Sequence, residues 1–231
     1  MEAPRPLSID PSVLARFPGY TAVVLYARGL DPGGSAGQSD ALLAAAEDGA
    51  RAALSGSPLQ DHPHLRAWRE AYRSFGSKPS KYLCSVEALL RRVLKGEPLP
   101  RLNPLVDLYN ALSIRHVLPA GGEDLDRIRG ALCLTFADGS EAFDAGDAVD
   151  PPYAGEVVWK DAEGVTCRRW NWRQCRRTRL AEETRNAYFV LDRLVPHPIG
   201  GLQAAASELV DALSLHSPHC ELTTEWIGRP D

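Results

Sequence analysis

Apolar residues recur along this chain first at helical and then at strand spacing. Leu65, Trp68, Tyr72 and Phe75 recur every three or four positions, with Arg66, Arg69, Glu70 and Arg73 on the other faces, so the pattern predicts a helix from Pro63 to Phe75. Gly76 and Pro79 end it. Ser85 is a candidate N-cap for a helix with Leu89, Leu90 and Val93 as its buried stripe and Gly96 as its stop. Pro104 suits the first turn of a helix through LVDLYNALSIRHVLP. Before these lie a strand, Tyr20 to Tyr26, a turn-rich loop, ARGLDPGGSAGQSD, and a helix from Ser39-Asp40 to Gly56.

From Gly130 the pattern changes to short β-prone runs. ALCLTFA, EAFDAG, GEVVWKD, VTCRRWNW and NAYFVLD are predicted strands, with DAEG as a hairpin turn. GLQAAASELVDALSLH is an amphipathic helix with Leu202, Ala206, Leu209, Val210 and Leu213 on one face, and CELTTEWIG adds a last strand. Helices first, strands second and a closing helix predict an α+β fold, a mixed β-sheet sandwich with flanking helices. Residues 1–60 read as a strand-helix extension packed on a main domain spanning 61–231, the whole forming one globular unit.

Composition narrows the function. The chain has 231 residues, 44% hydrophobic and 24% charged, with a net charge of −4. That predicts a packed core and excludes a uniformly basic nucleic-acid binder; RNA contact would need a local patch. No apolar run reaches the roughly 18 residues that span a bilayer, and MEAPRPLSID lacks the features of a secretory leader, so no membrane partner and a cytoplasmic location are expected. The five cysteines form no CxxC, so reduced thiols are expected rather than a disulfide framework or a metal site. No phosphate-loop or dinucleotide signature is present, and no cofactor is expected.

Three clusters carry candidate chemistry. CRRWNWRQCRRTR, from Cys167 to Arg179, interleaves arginines with Trp170 and Trp172, as suits phosphates and stacked bases; core tryptophans flanked by solvated arginines are the plain alternative. As one strand over 165–172, it would turn Cys167, Arg169 and Asn171 to one face and Arg168, Trp170 and Trp172 to the other. Asp107, Asn110, Ser113, Arg115 and His116 are polar positions in an apolar stretch, where Asn110 could orient a water or an ester or merely satisfy a helix end. Gly121-Gly122, followed by Glu123, Asp124 and Asp126, reads as a loop with free N–H groups, or as a turn into ordinary structure. His62 and His64 read as an exposed approach to a helix.

These stretches together resemble the B3/B4 domain, the editing module of the phenylalanyl-tRNA synthetase β subunit. The resemblance covers roughly residues 70–215 and lies in NPLVDLYNALSIRHVLPAGGEDLDRIRG, GEVVWKDAEGV and EETRN. Val106, Asp107, Asn110, Pro119, Asp124, Asp126, Arg127 and Ile128 fall at the family's spacing without a gap, and Arg73–Pro79 and Arg169–Gln174 resemble two runs of its free-standing members. The resemblance implies hydrolysis of a misattached aminoacyl ester in trans, with the aminoacylated 3′ end of a tRNA as partner and without a protein nucleophile. It implies Asn110 and Thr184 as catalytic-pocket residues. Trp170, Asn171, Arg173 and Gln174 would close the site or hold the terminal adenosine, and Arg168, Arg176, Arg177, Lys78 and Lys81 would meet RNA. Two substrate-pocket positions depart from the family: Gly121 stands where it has a histidine, and Val190 where it has the glutamate that reads a tyrosine hydroxyl. A pocket retuned to a less polar amino acid is then expected. The alternatives are an RNA binder without catalysis and a protein that binds free amino acids.

Overall fold

The computed structural model describes residues 7–31, 36–146 and 151–228; the first six residues and part of the predicted loop after Tyr26 lie outside the described residues. The strands are β1 (Leu7–Ile9), β2 (Tyr20–Arg28), β3 (Ala120–Asp124), β4 (Leu132–Phe136), β5 (Val157–Lys160), β6 (Val165–Arg168), β7 (Arg173–Gln174), β8 (Asn186–Leu194) and β9 (Glu221–Gly228). The helices are α1 (Pro11–Arg16), α2 (Ala36–Leu54), α3 (Pro63–Ser74), α4 (Ser85–Leu94), α5 (Pro104–His116) and α6 (Ile199–His216). They build two sheets, ordered β1-β4-β5-β6-β7 and β3-β8-β2-β9, in the expected α+β architecture. Every pairing is antiparallel except that of β1 with β4.

Strand periodicity divides the core. On one face of the four-stranded sheet, Ala22, Val24, Tyr188 and Val190 join a cluster with Trp68, Trp159 and Trp170; on the other, Val23, Leu25, Phe189 and Leu191 pack with Leu108, Leu112, Leu202 and Leu209 of α5 and α6. β2 is buried along both faces because one of these clusters packs on each side of it, while β8 and β9 cover its edges. β2 pairs with β8 over all nine of its residues, from Tyr20↔Leu194 to Arg28↔Asn186.

Four local readings change. EAFDAG forms no strand. Ser85 is the first helical residue of α4, and Cys84 holds the cap position. Gly121-Gly122 lies inside β3, and a Cβ on Gly122 would come within 2.7 Å of Phe189 Cδ1, so glycine there lets the Phe189 ring lie across the strand. His64 is buried, with Trp68 Nε1 and the Leu194 N–H both donating to its Nε2, because α3 lies against the end of β8.

The strand expected over 165–172 ends at Arg168, because Arg169 and Trp170 adopt left-handed backbone with φ of 46° and 67°. Hydrogen bonds hold the bend: Trp170 N donates to Val157 O at 2.7 Å and Trp172 N to Arg168 O at 3.1 Å. Trp170 thus enters the core and Asn171 turns toward the space between the sheets.

Candidate functional site

A cavity of about 260 Å³ opens between the two sheets. β3 and β8 form one wall, the 170–174 segment faces them, and α4 and α5 complete the rim with Ser85, Leu89, Tyr109 and Asn110. Asn103 caps α5 by accepting the Val106 N–H, and Pro104 follows it, which fixes the helix start and the direction in which Asn110 points. Asn110 is nearly buried.

Asn171 is fixed by a buried network. It accepts from Tyr72 Oη at 2.9 Å through Oδ1 and donates from Nδ2 to Asp192 Oδ2 at 3.0 Å. Asp192 Oδ1 accepts from Tyr20 Oη at 2.7 Å, so both its oxygens are engaged. The Asn171 carbonyl accepts the Ser85 N–H at 3.1 Å, tying the start of α4 to the same point. Gln174 donates from Nε2 to Gly122 O at 2.9 Å and lies 3.6 Å from where a Gly121 Cβ would be. The glutamine amide thus stands before the position that carries a histidine in the resembling family.

Two buried carboxyls line the cavity. Burial raises Glu123 to about 7, against hydrogen bonding from Thr178, Tyr188 and Thr166 that pulls it down. Burial likewise raises Asp192 to about 6, opposed by its bonds from Tyr20 and Asn171. The other ionisable groups facing Glu123 are Tyr109 from α5, Tyr188 from β8, Cys167 from β6 and Cys175 beyond β7; burial raises all four and keeps them neutral. Asp161, at the hairpin after β5, adds a negative charge. Carboxyls that titrate near neutrality can accept, hold or return a proton at working pH. Val190 brings no carboxyl to the cavity, and Glu123 on the adjacent strand supplies one.

The cavity brings together Asn110, Gly121, Trp170, Asn171, Arg173, Gln174 and Val190. Thr184 is not among its lining residues; its Oγ1 donates to Asp124 Oδ2 at 2.8 Å and accepts the Ala181 N–H, pinning a turn to the end of β3. Arg168 does not reach a surface where phosphate could bind. It is fully buried, with Nε and Nη2 on the two oxygens of Glu156 at 2.8 and 2.6 Å. Arg177 is held by Asp161 through both Nη atoms. Arg176, Lys78 and Lys81 are exposed. Asp192 and Tyr109 were not singled out from the sequence, although period-two alternation from Val190 reaches Asp192 on the same strand face.

The raised carboxyl sets one expectation. An acid whose pKa is higher when folded favours the fold while protonated, and that advantage disappears as pH climbs from the unfolded value of 4.5 through about 7. Glu123→Gln removes the ionisation. The variant should match the wild type near pH 4 and exceed it by about 3 kcal/mol at pH 8, as measured by urea unfolding at both pH values. A constant difference across that range would mean Glu123 is not protonated in the fold.

A family model described as the B3/4 domain matches residues 67–206, more than half of the chain. Among solved structures, the chain is similar to an N-terminal fragment of the phenylalanyl-tRNA synthetase beta subunit from Pyrococcus horikoshii, at 10% identity and a TM-score of 0.46, over 97% of this chain and 54% of that one. No curated protein matches the chain. Among the described residues, no helix is long and apolar enough to cross a membrane.

Proposed function

The chain belongs to the B3/4 domain family, and on that footing we propose that it hydrolyses the ester of a misacylated tRNA in trans, with the acyl group seated between the sheets. One observation carries this reading: Asn110, Asn171 and Gln174 converge with two near-neutral carboxyls on a single concavity. An aminoacyl ester is already activated, so catalysis needs a placed water and donors toward the carbonyl oxygen more than a protein nucleophile. Asn110 positions the water or the carbonyl. Asn171 is held rigid by Tyr72 and Asp192, and Gln174 by Gly122. Thr184 acts at one remove, by holding the end of β3 through Asp124. The exposed Lys78, Lys81 and Arg176 meet the RNA backbone, and Arg168 and Arg177 keep the fold.

The test is a panel of mischarged tRNAs incubated with purified protein. Release of the amino acid from at least one pair is expected, with Asn110→Ala lowering kcat/KM roughly 100-fold while leaving tRNA affinity unchanged. Salt-sensitive tRNA binding without hydrolysis by either protein would select the non-catalytic RNA binder.

A further inference from the structure

The cavity contains a buried acceptor that the protein itself leaves open. Glu123 lines the cavity and is 1% exposed; the Thr178, Tyr188 and Thr166 hydroxyls stand around its carboxyl, but its Oε2 makes no hydrogen bond of normal geometry. Asp192 differs: its two oxygens are taken by Tyr20 and Asn171. Among the described residues no ion pair reaches Glu123, and Arg173 is the one cationic side chain in the lining, on the 170–174 segment. A carboxylate in such a place is unfavourable unless a cation or a donor arrives. Five aromatic side chains, Trp159, Trp170, Trp172, Tyr109 and Tyr188, are among the other lining residues. Ring faces attract an alkylammonium and exclude water around it.

We propose that the cavity binds an acyl group through a primary ammonium, with Glu123 as its counter-ion and the tryptophan rings as its walls. The inference rests on reading the cavity as the acyl pocket. Ammonium on an aminoacyl ester has two sources, the α-amine and a side-chain amine, and the open Oε2 serves either. Burial raises Glu123 to about 7, so below that pH seating an ammonium expels its proton.

Calorimetric titration with three amides separates the cases. Norleucinamide carries only the α-ammonium, Nα-acetyl-lysinamide only the side-chain ammonium, and Nα-acetyl-norleucinamide neither. One of the first two should bind at least about tenfold tighter than the third, and the winner names the source. Glu123→Gln should erase that margin. In the wild type at pH 6.5, binding should release a proton, seen as a dependence of the heat on the buffer's ionisation enthalpy; this arm needs no variant. Equal binding of all three amides, binding of none, a margin that survives in Glu123→Gln, or ammonium binding without proton release would each overturn the proposal. The probes contain neither ester nor RNA. Failure here with tRNA hydrolysis intact removes the counter-ion and leaves the deacylase; ammonium binding without hydrolysis removes the deacylase alone.

Discussion

Arg168→Met should destabilise the protein by about 3–5 kcal/mol, and Glu156→Gln by a comparable amount. Both side chains are fully excluded from water and meet through two parallel hydrogen bonds, at 2.8 and 2.6 Å. Removing one partner strands the other in a medium that cannot solvate it. Among the bonds described, the Glu156 carboxylate would retain only the neutral Arg169 backbone N–H, at 3.1 Å. Replacing both residues removes both charges, so Arg168→Met with Glu156→Gln should be less destabilised than the sum of the two singles. Urea unfolding of the four proteins measures the coupling. Strict additivity would show that the pair does not act as a unit. Because Glu156 also anchors Arg169 at the start of the left-handed bend, Glu156→Gln should loosen the path of Asn171 into the cavity as well.

Trp170→Ala should remove a further 3–5 kcal/mol or so. The Trp170 ring meets Phe17 and Tyr20 at 4.8 Å and Trp68 at 5.1 Å, all edge-on, and is fully buried. Those partners come from the segment between α1 and β2, from β2 and from α3, so one indole joins parts of the chain far apart in sequence. Truncation leaves a void bounded by rigid rings that cannot collapse into it. For a protein of this length the melting temperature falls roughly 2–4 °C per kcal/mol. Trp170→Phe, which keeps one ring of the indole, should lose much less. A melting temperature unchanged in Trp170→Ala would mean that the cluster is not a centre of stability.

The helices were legible because their apolar stripes have one period and one destination. Leu65, Trp68, Tyr72 and Phe75 are all buried, as their spacing predicts. Long strands such as Tyr20–Arg28 and Asn186–Leu194 were legible as near-continuous apolar, β-prone runs, because both of their faces are buried. The turn at Arg169-Trp170 was not, since neither residue favours positive φ and nothing local marks it. It exists because Glu156, Val157 and Arg168 supply its hydrogen bonds, and such support is invisible to a pattern read along the chain. The arginine cluster misled for a related reason. Its charges look solvated in sequence, whereas Glu156, just before β5, and Asp161, in the hairpin after it, bind Arg168 and Arg177. At the cavity, Asn110 was visible as a polar break in an apolar helix. The distinction between Glu123 and Asp192, one oxygen open against none, arises only when Tyr20 and Asn171 arrive from distant segments.

The place of β2 has a consequence for synthesis. Its two neighbours in the sheet, Asn186–Leu194 and Glu221–Gly228, are translated more than 150 residues after it. A growing chain on the ribosome therefore displays YTAVVLY with no strand to zip against until most of the polypeptide has emerged. This sheet can therefore close only after β8 and β9 have been made, a long-range pairing that is slow by reason of topology.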